Sequence, residues 1–294
     1  MTENLTGRVC VITGASSGIG KAAAIELARR GATMVLVARD RGRGESALAE
    51  VGAAAAGEQP SLELADLASL RQVRELAARL AELPRIDVLV NNAGLVVGQR
   101  LMTEDGIEHT FAVNHLAPFL LTNLLLGKLT SAGRPARVVT VSSTAHRGGK
   151  IDLDTVAEPR RYLAMMAYSD SKLANVLFTA ELARKLTGTE VTANCLHPGT
   201  VRTGFGRSGG PLMKYGVQVM APLIKSAERG ARTVVYLASS PDVTGRSGGY
   251  YVSERLRQPS RAARDEDLAR RLWDLSAKLT GLSGLAQRDD IRSS

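Results

Sequence analysis

Short apolar runs alternate along the chain with longer stretches in which apolar residues recur at helical spacing. The apolar runs predict strands at residues 8–13, 33–38, 62–66, 86–90, 137–141 and 191–196. The intervening stretches predict helices at residues 18–30, 45–56, 70–83, 103–128 and 167–186. Strands that are apolar on both faces, each followed by a helix, indicate a parallel sheet covered by helices on both sides.

The order of these elements predicts an α/β architecture. Right-handed crossovers between successive strands give a doubly wound parallel sheet of about seven strands with helices on both faces, the Rossmann fold. No linker or repeat divides the sequence, so we expect a single domain over residues 1–294. Residues 254–294 are predicted to form a C-terminal helix and tail at the end of that domain.

The basic excess of the composition narrows the classes of function. The 294 residues include 38 Lys and Arg against 29 Asp and Glu, a net charge of +9, and 30 of the basic residues are arginine. A nucleic-acid binder clusters its basic residues on one element, whereas these arginines are dispersed, so we expect no nucleic-acid partner. With 44% hydrophobic residues and two cysteines inside apolar runs, the chain is neither disordered nor a disulfide scaffold.

The first residues and the longest apolar run bear on the location of the protein. The chain begins Met-Thr-Glu-Asn, without the basic and apolar segments of a signal peptide. Residues 116–126, the longest apolar run, contain Pro118 and Asn123 and are too few to span a bilayer. We therefore expect a cytoplasmic protein without an integral membrane segment.

A glycine-rich turn, TGASSGIG at residues 13–20, joins the first predicted strand to the first predicted helix. Glycines at this spacing allow a tight turn, close approach of a ligand to the backbone and close packing of the helix on the strand. The N-terminus of the helix offers N–H groups and a positive dipole to a pyrophosphate. The turn therefore predicts a dinucleotide cofactor, with contacts from Gly14, Ser16, Ser17, Gly18, Ile19 and Gly20.

The end of the second predicted strand indicates which dinucleotide fits. An NAD site places an acidic residue there for the ribose hydroxyls, whereas an NADP site needs positive charge for the 2′-phosphate. Arg39 follows that strand directly, with Asp40 after it as an alternative ribose contact. We interpret Arg39 as the 2′-phosphate contact and expect NADP (NADPH) as the cofactor.

Tyr168 and Lys172 are four residues apart within a predicted helix and therefore lie on one face of it. A tyrosine with its ordinary pKa of about 10 is a poor acid or base at neutral pH. A neighbouring ammonium group favours the phenolate, so we expect Lys172 to lower the pKa of Tyr168 and make it a catalytic acid/base.

Further motifs follow in order, and together with the glycine turn and the Tyr168–Lys172 pair they resemble those of the short-chain dehydrogenase/reductase family. They are Asp66-Leu67, Asn91-Asn92-Ala93-Gly94, Val113-Asn114-His115, Val141-Ser142-Ser143 and His197-Pro198-Gly199-Thr200. The resemblance covers nearly the whole chain. The stretches VNHLAPFLLTNLLL, YSDSKLANVLF, HPGTVRT and GYYVSE resemble the retinol-dehydrogenase-like branch of that family.

The resemblance implies a role for each motif. Ser143 would hydrogen-bond the substrate oxygen, Tyr168 would transfer the proton, Lys172 would hold the cofactor ribose, and Asn114 would hold a proton-relay water. The residues implied to contact the cofactor, besides the glycine turn, Arg39, Tyr168 and Lys172, are Asp66, Leu67, Asn92, Ala93, Gly94, Pro198, Gly199, Val201 and Thr203. The family also implies a homo-oligomer, with a monomer as the alternative.

The segment 200–225 combines glycines with apolar residues and is predicted to form a substrate lid, with a dimer contact or a membrane-surface helix as alternatives. The four histidines lack metal-ligand spacing, so we expect no metal. Among them His146, close after Ser143, is the best candidate for a role in the pocket.

The sequence thus predicts an NADP(H)-dependent oxidoreductase that interconverts a small apolar aldehyde or ketone and its alcohol. The alternatives are a dehydrogenase of steroid- or polyketide-type hydroxyls and a catalytically idle dinucleotide-sensing protein on the same fold.

Overall fold

One mixed sheet forms the centre of the computed structural model, which describes residues 4–199 and 227–282. Within these residues the sheet has eight strands in the order β3-β2-β1-β4-β5-β6-β7-β8, all parallel except β8. The strands are β1 Val9–Thr13, β2 Thr33–Ala38, β3 Ser61–Leu64, β4 Val88–Asn91, β5 Ala136–Val141, β6 Val191–His197, β7 Tyr250–Val252 and β8 Arg255–Arg257. The doubly wound topology predicted from the sequence is confirmed.

Helices cover both faces of the sheet. Alternate residues of a strand therefore pack into different apolar cores. In β1, Val9 and Val11 pack into one apolar cluster, and Cys10 and Ile12 pack into another on the opposite face. Within the described residues the helices are α1 Gly18–Arg29, α2 Arg41–Ala54, α3 Leu70–Ala81, α4 His109–Thr130, α5 Ala164–Lys185, α6 Ala227–Ser239 and α7 Glu266–Leu279.

Local capping explains where two helices depart from the predicted bounds. Helix α2 begins at Arg41 instead of residue 45 because the Asp40 side chain accepts a hydrogen bond from the backbone N–H of Arg43 at 2.9 Å. Helix α4 begins at His109 instead of residue 103 because the Glu108 carboxylate caps it, accepting from the backbone N–H groups of Thr110 and Phe111.

The eighth strand, which the sequence prediction of about seven did not include, comes from a tight hairpin. Tyr250 of β7 pairs with Arg257 of β8, and the two strands are joined by Ser253 and Glu254 at φ 50° and 63°. Two central residues with positive φ are typical of the turns that match the twist of an antiparallel pair. This hairpin closes the sheet edge next to β6.

Helix α4 is the one described element that is long and apolar enough to span a membrane by length and composition. Most of this helix is buried inside the fold, which is typical of a core helix. The predicted lid at 200–225, the predicted cofactor contacts Val201 and Thr203, and the tail from residue 283 lie outside the described residues.

The order of the strands positions a site. β1 has β2 on one side and β4 on the other. Successive strands are therefore added outward from β1 in one direction up to β3 and in the other direction from β4 onward. Ligands of doubly wound sheets bind at the carboxyl ends of the strands beside such a switch point. The predicted motifs all follow the carboxyl ends of β1 to β6 or lie on the helices packed there.

Candidate active site

The glycine turn after β1 is a tight backbone cradle. Gly14 and Gly18 have φ of +67° and +58°, which glycine adopts without strain. A Cβ at Gly20 would lie 2.4 Å from Nδ2 of Asn92 and 2.5 Å from the Gly14 carbonyl oxygen, so no side chain fits at position 20. Asn92 Nδ2 donates to the carbonyl oxygens of Thr13 and Gly14 at 2.8 and 3.2 Å. The turn is therefore held against the Asn92 motif at the end of β4.

The N-terminus of α1 opens into this cradle. The Ser17 side chain precedes the helix, is exposed and makes no capping hydrogen bond, so the first N–H groups of the helix are not capped by it. Ser16 is half-buried and Ile19 is buried in the apolar cluster behind the turn. Backbone N–H groups at a helix N-terminus, beside a turn with small side chains, fit the pyrophosphate of a dinucleotide.

The end of β2 is followed by one acidic and three basic side chains, and the acidic side chain is engaged in hydrogen bonding within the protein. The Asp40 carboxylate caps α2 and lies 3.4 Å from Nε of Arg43. The hydrogen bond from the Arg43 backbone holds the pKa of Asp40 below its ordinary value. Arg39, directly after β2, is exposed. Of the two residues that the sequence left open for the ribose end of a cofactor, Arg39 is the more available.

The other predicted cofactor residues of this half come together around β1 and β4. Thr13 Oγ1 accepts from the backbone N–H groups of Asn92 and Ala93 at 3.0 and 3.1 Å. Leu67, Ala93 and Thr13 line one small hollow beneath the glycine turn. Asp66 is half-buried, and its carboxylate accepts from the Ala68 backbone at 3.0 Å. These contacts place the Asp66-Leu67 pair beside the Asn92 motif.

Lys172 lies on α5 at the carboxyl end of β5 and is buried. Its Nζ donates to the Val141 carbonyl oxygen at 3.0 Å and lies 5.6 Å from the centroid of the Tyr168 ring. Ser142 Oγ donates to the backbone carbonyl of Lys172 at 2.7 Å, tying the helix to the strand. Burial lowers the pKa of Lys172 to about 8. The ammonium form still prevails at pH 7.

Tyr168 is buried one turn before Lys172 and is hydrogen-bonded to the Ser143 side chain. Burial raises the pKa of Tyr168 to about 12, and the Ser143 hydrogen bond opposes that rise. The prediction of a pKa lowered by Lys172 is therefore wrong for this structure. The phenolate loses its hydration on burial, and this cost exceeds the stabilisation from its neighbours.

Asn114 lies in a π-helical turn, Ala112–Leu116, within α4 and is completely buried. Its Oδ1 accepts from the Leu95 N–H at 2.8 Å, and its Nδ2 donates to the Leu95 carbonyl and to Ser171 Oγ at 2.9 and 3.0 Å. A Cβ at Gly94 would lie 3.2 Å from Lys172 Nζ and 3.4 Å from Asn114 Oδ1. Because Gly94 has no side chain, the space that both groups face stays open. Asn114 Oδ1, which accepts one hydrogen bond, retains a second acceptor position.

The segment after β6 approaches the end of β5. His197 Nδ1 accepts from the Thr144 N–H at 3.2 Å. Pro198 and Gly199 follow, and Gly199 has φ of +88°. The structure therefore brings the described part of this predicted motif next to Ser143.

Three functional contacts were missed by the sequence reasoning. Ser142 holds the Lys172 backbone, Ser171 holds the Asn114 amide, and the Val141 carbonyl holds the Lys172 ammonium. Ser142 and Ser171 are each adjacent to a predicted catalytic residue, so their proximity in sequence was the available signal. In residues 4–199 and 227–282 no three His, Cys, Asp or Glu side chains come together as metal ligands.

A glycine turn with Asn114, Ser143, Tyr168 and Lys172 nearby, at the carboxyl edge of a doubly wound sheet, is typical of a dinucleotide-binding protein. The sequence pattern of the short chain dehydrogenase family matches residues 8–210. The chain belongs to the short-chain dehydrogenase/reductase family of oxidoreductases.

Individual relatives and solved structures show which members of the family this chain is similar to. The chain is 46% identical to human retinol dehydrogenase 14, over 94% of this chain and 87% of that protein. It is 42% identical to human retinol dehydrogenase 13, over 97% and 88%. An uncharacterized protein from Mycobacterium paratuberculosis is similar with a TM-score of 0.78 and 37% identity, over 95% and 96% of the two chains. A Burkholderia cenocepacia short chain dehydrogenase in complex with NADP gives a TM-score of 0.68 and 27% identity, over 84% and 96%.

Proposed function

We propose that this protein is an NADP(H)-dependent oxidoreductase that interconverts an apolar aldehyde or ketone and its alcohol, with Tyr168 as the acid/base. The observation that carries the proposal is the hydrogen bond between Tyr168 and Ser143, with the buried Lys172 ammonium 5.6 Å from the centre of the Tyr168 ring. A protein that only senses a dinucleotide has no need for these polar groups to come together at the end of β5.

The residues act in a division of labour. NADPH held at the glycine turn and Arg39 would supply the hydride for the carbonyl carbon. Ser143 Oγ donates a hydrogen bond to the carbonyl oxygen, and the Tyr168 hydroxyl gives that oxygen its proton. Because burial raises the pKa of Tyr168 to about 12, the hydroxyl enters the reaction protonated. The protonated hydroxyl is the form that a proton donor needs.

Lys172 and Asn114 support the proton donor. Lys172 Nζ spends one of its three hydrogens on the Val141 carbonyl and has two left for ribose hydroxyls and Tyr168. The acceptor position left on Asn114 Oδ1 serves a water between Lys172 and solvent. The ammonium group, with its pKa lowered to about 8, is a ready source for returning a proton toward Tyr168.

NADP(H) is favoured over NAD(H) by the end of β2. Arg39 is exposed directly after the strand, and the acid that follows it, Asp40, is engaged as the cap of α2. A similar short chain dehydrogenase holds NADP. A guanidinium group binds a phosphate through two parallel hydrogen bonds, which a free ribose hydroxyl does not offer.

An apolar substrate is favoured by the surface in front of Tyr168. Leu163, Met165 and Met166 immediately precede the catalytic tyrosine at the start of α5 and are exposed by 65%, 53% and 51%. Large apolar side chains exposed together next to a site mark a surface for an apolar partner. The relatives named retinol dehydrogenases support the same class of substrate.

The test is oxidation of NADPH, followed at 340 nm by its absorbance, across matched carbonyl series. The series are straight-chain aldehydes of increasing length, retinal, steroid ketones and simple sugars. We expect kcat/KM to rise with chain length and to be lowest for sugars. A steroid ketone as the best substrate would favour the hydroxysteroid-type alternative, and no turnover with any carbonyl would contradict the proposal.

A further inference from the structure

His146 is a buried histidine in the 3-10 turn Thr144–Gly148, which begins directly after Ser143. Its Nδ1 lies 2.6 Å from the Ser143 carbonyl oxygen, and its Nε2 lies 3.1 Å from the backbone nitrogen of Ser260. Residues 146 and 260 are 114 positions apart in sequence. The ring therefore joins the serine end of β5 to the segment that leads into α7.

The two neighbours of the ring determine its tautomer. A backbone N–H only donates, so Nε2 accepts from Ser260 and carries no hydrogen. A carbonyl oxygen only accepts, so Nδ1 carries the hydrogen and donates to Ser143. The imidazole in this arrangement is neutral, and burial lowers the pKa of His146, which maintains the neutral form.

The Ser143 carbonyl is the point at which the ring acts on the site. That oxygen also accepts from the backbone N–H of His146 at 3.2 Å. The Ser143 side chain in turn accepts from the Ala145 N–H at 3.2 Å and is hydrogen-bonded to Tyr168. Fixing the carbonyl fixes the peptide plane from which the Ser143 side chain projects.

We propose that His146 is a positioning residue: its Nδ1–H tautomer holds the Ser143 carbonyl so that Ser143 Oγ remains aligned with Tyr168. The inference rests on the proposed function, because alignment of Ser143 matters only if Ser143 contacts the reacting carbonyl. The rival explanation is packing alone, since the ring also contacts the ring of Tyr250 with centroids 4.8 Å apart.

Two variants separate the two hydrogen bonds of the ring. His146→Asn places an amide near the Nδ1 position and retains a donor to Ser143. His146→Gln places its amide near the Nε2 position and retains only an acceptor for Ser260. A small misplacement of a catalytic group lowers rate strongly, so we expect His146→Gln to lose about 10- to 100-fold in kcat and His146→Asn to lose about threefold or less. The KM for NADPH should remain within about twofold in both variants.

Arg147→Gln is the matched control. Arg147 Nη2 donates to the Gln258 carbonyl at 2.9 Å, so this variant removes a second link between the same turn and the same C-terminal segment without touching Ser143. Its kcat should remain near that of the wild type. Equal losses of kcat in His146→Asn and His146→Gln, or a loss as large in Arg147→Gln, would overturn the positioning role in favour of packing.

A second measurement needs no turnover. The ¹⁵N chemical shifts of histidine-labelled wild-type protein report which ring nitrogen is protonated, and His146→Gln identifies the signal. We expect the Nδ1–H tautomer. An Nε2–H tautomer in an active enzyme overturns the positioning role alone. Absence of any carbonyl reductase activity overturns the proposed function, and the positioning role of His146 with it, whichever tautomer is found.

Discussion

Two buried charges, Asp87 and Lys172, lie at opposite ends of the sheet and are treated differently by the fold. Asp87 precedes β4 at its amino end, is 1% exposed and forms ion pairs with Arg8, Arg85 and Arg134 at 3.1, 3.4 and 2.6 Å. Lys172 lies at the carboxyl end, is 3% exposed and donates to a neutral carbonyl. In the described part of the chain, no carboxylate lies within ion-pair distance of it.

The difference shows which of the two charges stabilises the fold and which is available for chemistry. Burial raises the pKa of Asp87, but the hydrogen bonds from Arg134, the Val9 backbone and Arg8 outweigh it, so the pKa is lower than its ordinary value. Lys172 has no such compensation, and burial lowers its pKa to about 8. A buried charge surrounded by hydrogen-bond and ion-pair partners stabilises the fold. A buried charge without an ion-pair partner costs stability and keeps its N–H groups for a ligand.

Replacing Lys172 should break activity without breaking the fold. Lys172→Met keeps the volume of the stem and removes the charge. We expect kcat to fall by about 10²- to 10⁴-fold, the range of acid/base contributions, because Tyr168 loses its support. Tm should stay equal or rise, since an unpaired buried charge is gone. Calorimetry and NADPH oxidation on the same preparation measure both, and a large fall in Tm would contradict the contrast.

Replacing Asp87 should do the reverse. Asp87→Asn leaves three arginines without their carboxylate. Because these arginines are 26%, 31% and 29% exposed, we expect a loss of about 1.5–3 kcal/mol, the worth of a hydrogen bond to a charged group. Chemical denaturation measures the free energy of unfolding. The kcat of the folded variant should remain near that of the wild type, because Asp87 lies at the end of the sheet away from Tyr168. Loss of kcat in a fully folded variant would show that the two ends are coupled.

The two charges should also make stability depend on pH at opposite ends of the pH range, and in both cases stability should rise as pH rises. The folded pKa of Asp87 is depressed, so its contribution is present above pH 3.8 and is lost as pH falls through the folded value. The folded pKa of Lys172 is depressed from 10.5 to about 8, so its cost is full below pH 8 and disappears as pH rises to 10.5.

That cost is at most about 3 kcal/mol for a shift of this size. Tm of wild type, Lys172→Met and Asp87→Asn from about pH 2 to 10.5 tests both dependences. We expect the rise of wild-type stability between pH 8 and 10.5 to be smaller in Lys172→Met. An identical alkaline limb in the two proteins would contradict the assignment of the cost to Lys172.

The smallest expected effect concerns an exposed charge. Arg39→Ala should raise the KM for NADPH by about 10- to 100-fold, the worth of one charged hydrogen bond, and leave the KM for NADH nearly unchanged. Arg41→Ala is the matched control, because Arg41 is exposed two residues on and lies 3.5 Å from Glu45. Equal effects of the two substitutions on NADPH would remove Arg39 from the 2′-phosphate site.

The sequence predicted what depends on local spacing. Sequence predicts three features correctly because neighbouring residues determine them: the glycine turn, the Tyr168–Lys172 pair and the order of strands and helices. The raised pKa of Tyr168 was not predictable, since burial depends on the whole fold. The same holds for long-range contacts: His146 with Ser260, and Asp87 with Arg8 and Arg134, join residues far apart in the chain. The β7–β8 hairpin was missed because Ser253 and Glu254 are not typical residues for its turn.

The most direct test of the account measures two quantities in Tyr168→Phe: the dissociation constant for NADPH and the single-turnover rate of carbonyl reduction. The variant keeps the ring and its packing and removes only the hydroxyl that is hydrogen-bonded to Ser143. We predict an NADPH dissociation constant within about twofold of wild type and a rate of carbonyl reduction lower by about 10²-fold or more. Wild-type rates of hydride transfer in Tyr168→Phe, measured with the best substrate of the carbonyl series, would contradict the role of Tyr168 as the proton donor.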